Sequence, residues 1–234
     1  MSSPAVADHA LKRKLAQVEL TTWASMGRLA ALVILCLAIG SFSNVFFTER
    51  NLSLTLTNAC VLIILGVGET FTFITFGLDG PDLSVGSVMT ITAVVAAIMV
   101  KAGIFFGFAF GTALLFGAAL GLVNGLLIAR GGLPPFIATY GVQWAVFGFA
   151  YVILKGYVVY DFPADFRFIG NANLFGWLPM PVVVMAAVVV AGIVLLRKTT
   201  LGRRFYAVGA NADAAYMSGI DVSRTILIAF VVSG

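Results

Sequence analysis

Apolar residues in this chain fall into long, nearly uninterrupted runs. The polar positions between them gather into short clusters of charge, glycine and proline. Crossing a hydrocarbon core of roughly 30 Å takes about 20 apolar residues as a helix. Runs of that order cover residues 29–47, 52–76, 83–100, 104–129, 135–154 and 177–196, and a seventh begins near Thr225. The pattern predicts an all-α fold: a polytopic transmembrane helical bundle with about six complete spans and a truncated seventh. Residues 1–28 read as a cytoplasmic tail and lead-in, and 29–234 as one transmembrane domain. The last ten residues, 225–234, reach only about 15 Å at the helical rise, short of a crossing. The expectation is therefore a piece of a longer protein, or a chain that ends early.

Composition bears out the membrane class. Hydrophobic residues make up 61% of the 234 and charged residues 10%, against about 25% charged in soluble domains. That is too little charge to coat a globule. The net charge of +4 is orientation information, not nucleic-acid affinity, because the basic residues cluster between spans. With the N-terminus in the cytoplasm, Lys12, Arg13, Lys14, Arg28, Arg130, Arg197, Lys198, Arg203, Arg204 and Arg224 lie inside. Arg50, Lys101, Lys155 and Arg167 lie outside, as does the loop 156–176 with Asp161, Pro163, Asp165 and Asn171. Ten against four satisfies the positive-inside rule. The first run, behind Lys12–Lys14, resembles a secretory signal but is longer than a usual signal core and lacks a small-x-small exit, so it reads as an uncleaved helix.

Residues 197–224 form a polar, basic island in this oily sequence. On the cytoplasmic side it is a docking surface. Gly209 and Gly219 bracket Asn211-Ala-Asp-Ala-Ala-Tyr-Met-Ser, long enough for two helical turns. Asn211 can cap the start and Gly219 can end it in a left-handed conformation. Ala214 and Ala215 are small enough for a partner's groove to close over them.

Catalytic chemistry is hard to build from these residues. His9, the one histidine, is in the N-terminal tail, so a Ser-His-Asp or Cys-His arrangement has no base within the spans. Cys36 and Cys60 each stand alone in an apolar run and lack metal-ligand spacing. No phosphate-loop motif occurs, so any ATP is bound by another chain.

Three intramembrane features remain. Glu69, in Gly66-Val-Gly-Glu-Thr, is an acidic residue deep in a span, and such residues are functional candidates. It is either an ionised group on the solute path or a protonated or hydrogen-bonded carboxyl between helices. Asp82, after Pro81 and before Leu83-Ser84, either caps the third helix or marks a broken element whose helix start lines a polar path, with Ser84 beside it. Gly103, Gly107 and Gly111, then Gly117, Gly121 and Gly125, place small residues on helix faces for close packing, with Asn124 beside that face.

The chain resembles the permease subunits of bacterial ABC importers for ribose, xylose and related sugars. The matching stretches are Asp82-Leu-Ser-Val-Gly-Ser, Gly121-Leu-Val-Asn-Gly-Leu-Leu-Ile-Ala, Leu133-Pro-Pro-Phe-Ile-Ala-Thr-Tyr-Gly and Thr200-Leu-Gly-Arg-Arg-Phe-Tyr-Ala-Val-Gly-Ala-Asn. They run in family order over about residues 50–234. The resemblance implies a bundle of the ABC-importer permease type whose cytoplasmic loop inserts a coupling helix into a groove on the ATPase. Gly209, Asn211, Asp213, Ala214, Ala215, Ser218 and Gly219 would form it, and Glu69, Asp82, Ser84 and Asn124 are pathway candidates. The implied partners are two ATPase subunits carrying ATP and magnesium, a second permease subunit and a periplasmic or lipid-anchored solute-binding protein. The implied location is a bacterial inner membrane, with no cofactor on this chain itself. Residues 77–82 depart from the family's Gly-Gly-Ile-Asp by two extra residues. The rivals are an ion-coupled transporter with Glu69 as relay and a membrane-embedded enzyme.

Overall fold

The computed structural model describes residues 26–163, 166–167, 170, 172–174 and 178–234. His9, Lys12, Arg13, Lys14, Asp165, Asn171 and Trp177, used above, lie outside the described residues. The chain divides into two compact units, one through Thr55 and one from Leu56 to Gly234.

The first unit holds helix α1 (Met26–Phe42) and a tight turn, where the Asn51 side-chain amide donates to the Phe46 carbonyl at 2.8 Å. Helix α2 (Glu49–Phe76) begins there and continues into the second unit. Gly77 takes φ +66°, a left-handed conformation that ends α2. A short 3-10 turn, Gly77–Asp79, follows. Then follow α3 (Val85–Lys101), α4 (Phe106–Ala129), α5 (Pro135–Leu154) and a two-residue antiparallel ribbon, β1 (Asn173–Leu174) with β2 (Leu178–Pro179). The chain closes with α6 (Met180–Lys198), α7 (Thr200–Ala210), α8 (Ala212–Met217) and α9 (Val222–Ser233).

The fold is an all-helical polytopic bundle. Among the described residues α2, α4, α5 and α6 are long and apolar enough to cross a membrane, while α1, α3 and α9 are shorter apolar helices. Of the six helices expected as complete spans, α1 and α3 are the two shorter ones, at 17 residues each. The sixth helix starts at Met180, not 177: Pro179 and Pro181 fit a helix's cap and first turn, where their missing N–H groups cost nothing. Ahead of them the chain pairs as a ribbon. Gly103 does not belong to α4; it sits in the preceding turn at φ +82°, and Gly111 faces open space. The first glycine trio therefore forms no packed face.

The second trio does. A methyl group on Gly117, Gly121 or Gly125 would strike the backbone of Gly234, Phe230 or Leu227, so α9 lies directly on α4. The Ser223 hydroxyl ties the start of α9 to the Ala129 carbonyl at 3.3 Å. α3 packs on α5 through Ile91, Val94, Val146 and Ala150. A second cluster joins Phe71 of α2, Phe205 of α7 and Ala229 of α9.

Candidate functional site

Where α2, α3, α4, α5 and α9 meet, polar side chains are buried together. The chain enters at Asp82, 2% exposed, and Ser84, Ser87, Asn124, Thr139 and Thr72 are fully buried. Asp82 lies three residues ahead of α3, whose cap residue is Ser84. It is not the helix cap itself: its Oδ1 accepts from the Ser84 backbone N–H at 3.0 Å and the Ser84 hydroxyl at 2.6 Å. The Asn124 amide of α4 donates to Ser84 Oγ at 2.7 Å and lies 3.5 Å from Asp82 Oδ1. The Ser233 hydroxyl of α9 donates to Oδ2 at 3.1 Å. These partners of the carboxylate are all neutral donors.

Glu69 completes the node from α2. Its Oε2 accepts from the Asp82 backbone N–H at 3.1 Å and the Thr72 hydroxyl at 3.3 Å. On the α5 side, Thr139 Oγ1 accepts from the Leu83 N–H at 3.2 Å and donates to the Pro135 carbonyl at 2.9 Å. The N–H groups of Asp82 and Leu83, freed from helical hydrogen bonding by the break after α2, thus find side-chain acceptors on two neighbouring helices. Buried backbone groups demand such partners. Asn124 Oδ1 is buried with none. Beside the node lies a cavity of about 480 Å³ bounded by Gly68, Val85, Val88, Gly192 and Ser233, among other mostly apolar residues.

All four intramembrane residues singled out in the sequence, Glu69, Asp82, Ser84 and Asn124, are in this node. Thr139 and Ser233 join it and were not anticipated. Thr139 sits in the family stretch around Pro134-Pro135, which is a usable signal. Ser233 is brought in over 151 residues of sequence separation, and no local pattern marks it.

The polar island folds as two short helices. Thr199 Oγ1 caps α7 by accepting the Gly202 N–H at 3.1 Å. α7 buries Gly202, Phe205 and Val208 and exposes Arg203, Arg204 and Tyr206. Phe205 meets Phe71 edge-on at 5.8 Å, and Gly209 backs onto the Ile74 carbonyl. Asn211 Oδ1 caps α8 through the Ala214 N–H at 2.9 Å. Gly219, at φ +82°, ends it, with the Ile220 N–H returning to the Ala215 carbonyl at 3.0 Å. Asp213, Ala214 and Ser218 are exposed. Ala215 is not available to a partner: it is 5% exposed, turned into its own chain. Tyr216 and Met217, 69% and 84% exposed, are the large side chains α8 presents.

Residues 51–234 match the family described as "Branched-chain amino acid transport system / permease component". The chain belongs to this family of permeases. It is similar to the D-allose transport system permease protein AlsC of Escherichia coli (strain K12), 35% identical over 91% of this chain and 64% of that protein. It is also similar to the ribose import permease protein RbsC of the same strain, 36% identical over 88% of this chain and 64% of that protein. The fructose import permease protein FruG of Bifidobacterium longum (strain NCC 2705) is 35% identical over 88% of this chain and 63% of that protein. The chain thus spans less than two thirds of the length of these relatives. No solved structure matches it.

Proposed function

We propose that this chain is the membrane-spanning permease subunit of an ATP-driven importer, that it carries a monosaccharide, and that it couples to a separate ATPase through α8. The cargo class follows the allose, ribose and fructose permeases above, and not the branched-chain amino acids of the family description. One observation carries the coupling: an unbroken packed path from α8 to the polar node. α8 follows α7 directly, α7 grips α2 through Phe205 on Phe71 and Gly209 on Ile74, and Glu69 of α2 holds the Asp82 N–H. A displacement of α7 and α8 by a partner would therefore be felt at residues 82–84, as rigid-body transitions between packed states require. ATP and magnesium would be bound by the ATPase. A second permease subunit and a solute-binding protein would complete the assembly in an inner membrane.

The test follows from the exposure of α8. Met217→Arg places a charge on the more exposed of the two large side chains α8 presents, where this chain does not pack. The variant should reach the membrane and fold, yet lose co-purification with its ATPase and all ATP-dependent sugar uptake, because an unpaired charge is buried at the interface. Normal association of this variant would end the assignment of α8. Uptake that survives ATP depletion and collapses with the ion gradient would instead favour the ion-coupled rival with Glu69 as relay.

A further inference from the structure

Helix α5 is packed on one side only. Val142, Val146 and Ala150 meet α3. The other side carries Phe136, Tyr140, Gln143, Trp144, Phe147 and Tyr151, which at 3.6 residues per turn fall within one stripe roughly 100° wide. The rings form a ladder: Phe136 stacks on Tyr140 at 5.9 Å, Tyr140 meets Trp144 at 6.1 Å, and Trp144 meets Phe147 at 6.3 Å. Tyr140, Trp144 and Tyr151 are 46%, 59% and 70% exposed.

Lipid is a poor neighbour for this stripe. Trp144 is midway along the helix, roughly 14 Å from either end. Membrane Trp and Tyr ordinarily sit in interfacial belts, where their polar tips reach water. Among the described residues the Tyr140 hydroxyl, Gln143 amide and Trp144 indole N–H have no hydrogen-bond partner, since the one bonded side chain of α5 is Thr139. Such groups facing hydrocarbon are costly. The stripe is moreover continuous with the polar node: Gln143 is one turn beyond Thr139, which accepts the Leu83 N–H.

We infer that this face of α5 is a wall of the solute path and takes a neutral monosaccharide in transit. Ring faces would stack on the C–H-rich face of the sugar, while the hydroxyl, amide and indole groups would hydrogen-bond its hydroxyl rim. The inference rests on the import reading and names the surface that reading lacks.

The experiment uses the full-length transporter with its ATPase, in a Cys36→Ser, Cys60→Ala background. Tyr140→Cys, Trp144→Cys and Phe149→Cys are treated with a small charged methanethiosulfonate reagent, with and without D-ribose, D-allose or D-fructose. Phe149 is 55% exposed but points roughly opposite to Tyr140 around the helix. Positions 140 and 144 should react and be protected by at least one sugar, and position 149 should not react. Trp144→Leu should raise the half-saturation of uptake roughly threefold to tenfold without lowering maximal uptake, and Trp144→Phe should restore most of it. No reaction at 140 and 144 in a transporter that still takes up sugar overturns the inference alone. A disulfide between two Trp144→Cys copies assigns the stripe to a second subunit and overturns it too. Absence of ATP-dependent sugar uptake in the unmutated transporter sinks the import reading, and the inference with it.

Discussion

Glu69 engages the node through a single oxygen, and this decides what its substitutions should do. Both donors, the Asp82 N–H and the Thr72 hydroxyl, point at Oε2. A glutamine can offer its carbonyl oxygen to both and turn its NH₂ away. Glu69→Gln should therefore keep fold, assembly and uptake, whereas Glu69→Ala strands a backbone donor and should cost about 1–3 kcal/mol of stability. Thermal unfolding of the purified complex and uptake into vesicles read the two effects. Loss of uptake in Glu69→Gln with assembly intact would show that the charge itself is needed. Asp82 behaves differently, because its two oxygens accept from the neutral donors Ser84, Asn124 of α4 and Ser233 of α9. Asp82→Asn turns one acceptor into a donor that faces another donor, so both stability and uptake should fall, the former by about 1–3 kcal/mol. Glu69, Asp82 and Asn124 were each visible in the sequence as polar residues in oily surroundings. Their convergence was not, because it depends on which helices neighbour one another, and periodicity along one helix carries no such information.

Between elements, the tightest fit is α9 on α4, and it is made by absent side chains. Gly121 is pressed on the Phe230 carbonyl, so Gly121→Leu must push the helices apart and should cost about 1–3 kcal/mol or more. Gly111 has nothing within reach of an added carbon, and Gly111→Ala should leave the unfolding temperature unchanged or raise it slightly by helix propensity. Equal losses from the two substitutions would mean that α9 does not rest on Gly121. The sequence spacing of four placed both trios on helix faces, but a spacing does not say whether anything lies opposite. Element ends were legible where chemistry punctuates them: Pro134-Pro135 opens α5, and Lys155-Gly156, both at positive φ, closes it. α7 as a separate helix was missed, although Leu201, Phe205 and Val208 recur at i, i+4 and i+7 within the basic island.

At the scale of the second unit, contacts sort the connecting segments into two ends. Gly209 on Ile74 and Ser223 on Ala129 gather the ends of α2, α4 and α7 with the start of α9. Arg130, Arg197, Lys198, Arg203, Arg204 and Arg224 belong to segments at that end. Lys101, whose ammonium donates to the Asp161 carbonyl at 3.1 Å, and Lys155 belong to the other. By the positive-inside rule the expectation is that the basic end is cytoplasmic. Two introduced cysteines decide it. Tyr157→Cys, at a residue 77% exposed on the Lys155 side, should react with an impermeant maleimide in intact cells. Asn211→Cys, exposed at the start of α8, should react only once the membrane is opened. Labelling at position 211 in intact cells would invert the molecule. It would also remove α8 from the reach of any cytoplasmic ATPase, because the packed path from α8 to Asp82 could then be driven only from outside.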